Sequence, residues 1–112
     1  MPGYFSGIGV GVQAMDLTER EKKFLRGLGH PLKPVVLTGA AGLKPSVLEE
    51  IDLALEHHEL VKVRFRAADR VARDAMVRQV CAQLDATLVQ RVGHVALLYR
   101  RNPEDSRITL PG

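Results

Sequence analysis

Hydrophobic and polar residues change their period several times along this chain, and each change marks an element. Thr18 followed three residues later by Glu21 has capping-box spacing, which satisfies two backbone donors that a helix start leaves orphaned. The helix it opens is expected to run to about Leu28, with Phe24, Leu25 and Leu28 as its apolar stripe. Lys22, Lys23 and Arg26 stand one, three and four apart and share the opposite face. Gly29 stops the helix, and Pro31 and Pro34 prevent its resumption. Val35-Val36-Leu37-Thr38 is a β-branched apolar run, predicting a buried strand that empties into Gly39-Ala40-Ala41-Gly42. A second helix opens at Pro45 or at a Ser46/Glu49 cap. Val47, Leu48, Ile51 and Leu55 give it helical spacing, with acidic residues early and His57 and His58 late.

From Leu60 to Arg66 the period drops to two: Val61, Val63 and Phe65 alternate with Lys62, Arg64 and Arg66. Three unpaired cations could not be buried under a second helical layer, so this strand predicts a sheet with one bare face. A third helix is expected from about Asp69 to Leu84, with Val71, Ala75, Met76 and Val80 inward. Two strands, Thr87–Val92 and Val95–Arg101, are joined by Gly93-His94, a pair suited to a tight hairpin turn. A two-residue loop pairs Val92 with Val95, Gln90 with Leu97 and Leu88 with Tyr99 on the more apolar face. Arg91 with Ala96, Val89 with Leu98 and Thr87 with Arg100 make the other face. Arg91 and Arg100 are thereby expected on the outer face beside Lys62, Arg64 and Arg66. The tail, with Ile108 and Leu110, is expected to dock as a short edge segment. Strands alternating with helices imply crossover connections and parallel pairing. The expected fold is an α/β, two-layer α-β-α-β-α-β-β domain with a four-stranded mixed sheet and helices on one face.

A length of 112 residues is one domain's worth, against a prior of about 150 per domain. The first fifteen residues carry no charge and lack the basic and apolar regions of a secretory signal. Residues 1–15 are therefore expected to be a flexible extension, with 16–112 as the domain. Aromatics make up only 4% of the chain, so the core must be aliphatic. A single cysteine, Cys81, excludes a disulfide framework and any multi-cysteine metal site. No apolar run approaches the ~18 residues of a membrane span, and a cytoplasmic domain is expected. The balance of 16 Lys+Arg against 13 Asp+Glu gives +3, too little to argue for a polyanionic partner until the charges are placed.

A glycine-bounded turn between strand and helix lets backbone N–H groups approach a phosphate at the positive end of the helix. Gly39, Ala40, Ala41 and Gly42 have that setting, with Lys44 beside them, and Lys22, Lys23, Arg26 and Lys33 close by in sequence. The loop matches neither a Walker A motif nor a dinucleotide fingerprint, and the bare pattern by itself reads first as an ordinary tight turn; the cations around it raise the phosphate reading. Lys62, Arg64 and Arg66 suit a second contact surface, or only solubility and edge protection. Enzymatic features are weak. Adjacent His57 and His58 point about 100° apart on a helix, and with His30 and His94 they offer no zinc-like spacing. Cys81 sits in an apolar helical stretch and reads as a packed thiol. Glu49, Glu50, Asp52 and Glu56 read as a solvated helix face. No nucleophile–base–orienter set is visible, and neither cofactor nor metal is expected.

Several strings resemble the bacterial YhbY family, the stand-alone form of the CRM RNA-binding domain of plant organelle splicing factors. They are Leu25-Arg26-Gly27-Leu28-Gly29-His30-Pro31-Leu32-Lys33-Pro34-Val35-Val36-Leu37, the Gly39–Gly42 loop, and Leu55-Glu56-His57-His58-Glu59-Leu60-Val61-Lys62-Val63. Leu98-Tyr99-Arg100 and Ile108-Thr109-Leu110-Pro111 also match, so the resemblance covers about Leu17 to Pro111. It implies a fold similar to the C-terminal domain of translation initiation factor three. It implies binding of structured RNA in a KH-like manner through Gly39, Ala40, Ala41 and Gly42, and association with precursors of the large ribosomal subunit. Ala40-Ala41 depart from the polar residues often found inside the loop, and Lys44 stands where a capping Thr is common.

The resulting expectation is a monomeric, non-enzymatic RNA-binding module. Its candidate contacts are Gly39–Gly42, Lys22, Lys23, Arg26, Lys33 and Lys44, with Lys62, Arg64 and Arg66 on the sheet. Phe24 and Phe65 read as core, which argues against base-stacking aromatic platforms and for phosphate and shape recognition. A protein-interaction module docking a ribosomal protein or assembly factor through the exposed sheet face is the rival, and an enzyme acting on a phosphorylated small molecule stands third.

Overall fold

A computed structural model describes residues 17–37 and 43–111. The expected extension (1–15), Thr38 and the loop Gly39–Gly42 lie outside the described residues. Seven elements follow in the expected order: α1 (Glu19–Gly29), β1 (Pro34–Leu37), α2 (Pro45–His58), β2 (Leu60–Arg64), α3 (Arg70–Leu84), β3 (Thr87–Val92) and β4 (Val95–Tyr99). Thr18 opens α1 with the capping box. Its Oγ1 accepts from the Glu21 N–H at 3.1 Å, and Glu21 Oε1 accepts from the Thr18 N–H at 2.8 Å. Lys44 precedes α2 without a side-chain cap, and Pro45 takes the first helical turn, where its missing N–H costs nothing. The hairpin turns at Gly93, whose φ of +60° suits glycine.

The sheet order is β1-β2-β4-β3, with β1 parallel to β2 and the other pairs antiparallel. It carries two cores. Val61, Val63 and Phe65 point toward α2 and α3, where they meet Ile51, Leu55, Val77 and Val80, joined by Ala96 and Leu98 from β4. Leu60, Leu97, Tyr99 and Val89 point the opposite way and are covered by Leu17 and Leu25, with Ile108 and Leu110 of the tail packed alongside.

The second face is therefore not bare, contrary to the expectation from β2. Lys62 and Arg64 do share it, but β4 is apolar at every position, Val-Ala-Leu-Leu-Tyr, and has to be covered on both sides. α1 supplies the second cover, and the sheet face left open is only what α1 does not reach. The hairpin register also departs from a plain two-residue loop. Val92, Arg91 and Gln90 face Val95, Ala96 and Leu97 as expected, but an irregularity between Leu88 and Gln90 then pairs Leu88 with Leu98 and Thr87 with Tyr99. The extra residue, Val89, turns into the second core.

Further side chains change sides. Arg91 and Arg100 lie with the helices rather than with Lys62 and Arg64. Arg91 Nε is 3.1 Å from Asp74 Oδ1 of α3. Arg100 Nη1 is 2.6 Å from Asp52 Oδ1 of α2 and donates to the Leu84 carbonyl at 3.0 Å. On α3 Val80 and Met76 face the first core as expected, joined by Val77, whereas Val71 is 76% exposed and Ala75 is exposed too. On α1 only Leu25 of the apolar stripe is fully buried; Phe24 is 39% and Leu28 41% exposed.

Glu59 links the two cores. It follows α2 in the left-handed region (φ 62°) and is completely buried. Its carboxylate accepts three tail N–H bonds: Oε2 from Asn102 at 2.6 Å, Oε1 from Arg107 at 2.6 Å and from Ile108 at 2.9 Å. The tail thus packs Ile108 and Leu110 onto the second core as an irregular segment rather than an edge strand.

Candidate nucleic-acid interface

α1 crosses the second face so closely that a Cβ on Gly29 would lie 2.7 Å from both methyl carbons of Leu97. Along one flank of the helix runs a groove of about 480 Å³. Arg26 and His30 of the α1 end form one wall, and Lys62 and Arg64 of β2 form another. Its floor is aliphatic, with Val95 and Leu97 of β4, and Gln90 and Val92 of β3 close the far side. Two cross-strand rows set this up: Arg64 faces Val95, which faces Val92, and Lys62 faces Leu97, which faces Gln90.

Two groups of cations that stand far apart in sequence are thereby brought to one place. Lys62 Nζ donates to the His30 carbonyl at 3.3 Å, tying β2 to the end of α1. Acidic partners are spent elsewhere. Asp52 takes Arg100, Asp74 takes Arg91 and lies within 3.9 Å of Arg70 and Arg73, and Asp105 takes Arg107. Among the described residues no carboxylate lies within ion-pair distance of Lys23, Arg26, Lys33, Lys44, Lys62 or Arg64. On the α2/α3 side Arg91 and Arg100 have carboxylate partners, Asp74 being shared with Arg70 and Arg73, while Arg26 and Arg64 beside α1 have none among the described residues.

The remaining candidates are not all gathered there. Lys22 sits 3.8 Å from Glu19 in a partly exposed pair, and Lys23 is exposed on α1. Lys33 lines a second groove of about 420 Å³ on the opposite flank, among Leu28, Leu32, Val35, Leu60 and Ile108. Lys44 is exposed at the start of α2, and Arg66 is exposed beyond β2 with an interaction of its own. Gly39, Ala40, Ala41 and Gly42 lie outside the described residues, but β1 ends at Leu37 opposite Arg64, at the groove's end of the sheet. Sequence reasoning missed Gln90 and the groove role of His30. The signal for Gln90 was one amide between Val89 and Arg91, which pairing alone could not orient.

Cys81 is half-buried against the first core, and burial pushes its thiol up to about 11, so it stays protonated near neutrality. The Tyr99 hydroxyl is buried and has no hydrogen-bond partner among the described residues, and burial together with the Glu59 charge raises it above the usual tyrosine value. Among the described residues no three His, Cys, Asp or Glu side chains are grouped to hold a metal, and no helix is long and apolar enough to cross a membrane.

Known proteins resemble this chain in sequence, and one solved structure resembles it in fold. A Haemophilus influenzae protein named RNA-binding protein is 43% identical over 95 residues, covering 85% of this chain and 95% of its own. A Pseudomonas aeruginosa protein named as a probable RNA-binding protein is 43% identical over 93 residues, covering 83% and 89%. The solution structure of a Staphylococcus aureus protein described as a candidate RNA binder superposes with a TM-score of 0.74 at 29% identity, covering 86% of this chain and all of that one. The sequence profile of the CRS1 / YhbY (CRM) domain matches residues 17–100, from the residue before the α1 cap to the arginine that clamps Asp52. By that match and by these relatives, the chain belongs to the CRS1 / YhbY (CRM) domain family.

Proposed function

We propose that this chain is an RNA-binding protein of the cytoplasm that associates with precursors of the large ribosomal subunit and assists their assembly. It acts as a monomer without cofactor or catalysis, through a domain spanning residues 16–112. RNA backbone is met by the Gly39–Gly42 loop and Lys44 on one side and by Lys22, Lys23, Arg26 and Lys33 on the other. Lys62, Arg64 and Arg66 extend the footprint over the open part of the sheet. The observation that carries this reading is the convergence of Arg26, Lys62 and Arg64 on one groove with no carboxylate in reach. Cations left unneutralised in a partly enclosed surface attract a polyanion far more than the net +3 does. The names of the relatives support the same ligand.

A footprint of four to six phosphates on single-stranded RNA gives a log–log salt slope of about −3 to −4. Fluorescence anisotropy with a labelled oligoribonucleotide between low and high salt measures it. The triple variant Lys23→Glu, Arg26→Glu, Lys44→Glu should abolish binding with an unchanged circular dichroism spectrum. Flat salt dependence, or affinity that survives the triple variant, overturns the reading.

A second reading has one observation behind it. Leu28, Leu32 and Val35 stay exposed along the other flank of α1, which suits docking of a ribosomal protein or assembly factor. Nuclease treatment of co-purified particles separates the two: release of the protein supports RNA, and retention on RNA-free partners supports docking.

A further inference from the structure

We propose that the start of α3 and the β3–β4 hairpin carry a second RNA-phosphate surface, made by Arg70, Arg73, Arg78 and Arg91, on the face of the sheet opposite the α1 groove. A strand held in that groove continues round the open edge of β3 and onto it. This goes beyond the RNA-binding reading above and rests on it.

The arginines there outnumber their counter-charges. Asp74 is shared by three of them: Arg91 Nε lies 3.1 Å from Oδ1, while Arg73 Nε and Arg70 Nε lie 3.9 Å from Oδ1 and Oδ2. One carboxylate cancels one charge, and at 3.9 Å it is too distant to accept a hydrogen bond. Arg78 stands one turn on from Asp74 and lines a hollow with Asp74, Leu88 and Arg91. Among the described residues no carboxylate lies within ion-pair distance of it. Asp69, which caps α3 through the Ala72 N–H, is the other acidic residue at this end of the helix, and β3 and β4 carry none. Four arginines less two aspartates leave a surplus of two, in a chain whose net charge is only +3.

Folding does not account for all four. Arg73 and Arg91 are mostly buried and hold the hairpin turn: Arg91 Nη1 donates to the Gly93 carbonyl at 3.0 Å, and Arg73 Nη1 lies 3.4 Å from His94 Nδ1. Arg70 and Arg78 have no such task. Both are exposed, four residues before and four after Asp74, so all three share one helix face. Even the buried donors are not all met, since Arg73 Nε has no hydrogen-bond partner among the described residues. Crowded guanidiniums repel one another. A bound phosphate relieves that repulsion, and its oxygens take the unused forks of Arg70 and Arg78.

Topology indicates which polyanion. β3 is an outer strand of the sheet; Gln90 and Val92 line the α1 groove, and Arg91 between them turns to α3. The edge of one strand separates the two surfaces, so one phosphate backbone can serve both. That continuity favours RNA over an acidic protein segment. The second surface is the weaker of the two, and it acts on RNA already held at α1, where its effective concentration is high.

Fluorescence anisotropy with the full chain compares labelled U6, which the first footprint of four to six phosphates uses up, with U18, which has nucleotides to spare. Wild type should bind U18 at least about tenfold more tightly than U6. Arg70→Gln combined with Arg78→Gln should remove most of that gain and leave U6 affinity and the thermal midpoint unchanged. Its U18 salt slope should be shallower by about 1.4, from two contacts at about 0.7 each. In NMR spectra of the isotope-labelled chain, the amides around Arg70 and Arg78 should move with U18, but not with U6 or with poly-glutamate. A length gain that survives the double variant, or an equal response to poly-glutamate, overturns the proposal and leaves RNA binding intact. Loss of U6 affinity in the double variant overturns it too, because the cluster would then belong to the first footprint. Wild type that binds neither U6 nor U18 at low salt overturns both readings together.

Discussion

Glu59→Gln removes one acceptor atom from the point where the tail is tied to the rest of the domain. Glutamine keeps a carbonyl oxygen for Arg107 N–H and Ile108 N–H, but it turns an NH2 toward Asn102 N–H, where a 2.6 Å bond now stands. One charge-assisted bond, worth about 1.5–3 kcal/mol, becomes a donor facing a donor, and two others weaken to neutral bonds. Allowing the tail to relax toward water, the expected loss is about 2–4 kcal/mol. For a domain of this size that lowers the thermal midpoint by roughly 10–20 °C. Urea unfolding reads the free energy, and amide exchange at Arg107 and Ile108 reads the local event. Protection at these two amides should fall before the sheet is affected. Glu59→Gly separates the carboxylate from the backbone. Glycine relieves the left-handed φ of 62°, a gain of about 1–2 kcal/mol, but loses all three bonds, so it too should destabilise. The reasoning is refuted if Glu59→Gln unfolds within about 0.5 kcal/mol of wild type with both amides still protected.

The two glycines of α1 should behave oppositely. Gly27 has nothing within 4 Å of a built Cβ, so Gly27→Ala should stabilise by about 0.5–1 kcal/mol, whereas Gly29→Ala must displace Leu97 and should cost about 1–2 kcal/mol. Paired thermal melts check both, and the same sign for the two would contradict the close crossing. With its thiol raised from 9.0 to about 11, Cys81 should react with iodoacetamide at pH 8 about a hundredfold more slowly than a free thiol; equal rates would show that the thiol is not shielded. Cys81 and Tyr99 both hold their protons more tightly folded than unfolded. Their contribution is therefore complete below the ordinary values of 9.0 and 10.0 and is lost as pH rises through the raised ones. The urea midpoint should fall between pH 8.5 and 10.5, and a rise would contradict the burial of these groups.

Much of the architecture is legible in the linear pattern, because capping, turn and alternation signals are local. The Thr18–Glu21 box, Pro45 at the first turn of α2 and Gly93 in the hairpin all do what their spacing implies. Sidedness was harder to read. Val61, Val63 and Phe65 against Lys62, Arg64 and Arg66 suggest one wet face, yet Leu60 and the unbroken apolar run of β4 require cover on both faces. The slip at Val89 has no glycine to announce it, and it moves Leu88 and Val89 to sides opposite those a plain hairpin gives. Arg91 and Arg100 find Asp74 and Asp52 across long stretches of chain, pairings that no local pattern encodes. For the same reason Arg26 and Arg64 look like separate surfaces until the fold draws them around one groove.

The contact between Gly29 and Leu97 has a consequence for timing. Because the helix backbone rests directly on a buried side chain, α1 cannot rock outward without opening a void beneath it. The groove wall is thus rigid before any ligand arrives, and no opening step precedes capture. A guest that fits should associate at a rate governed by diffusion and salt, and differences in how well it fits should be expressed in how long it stays.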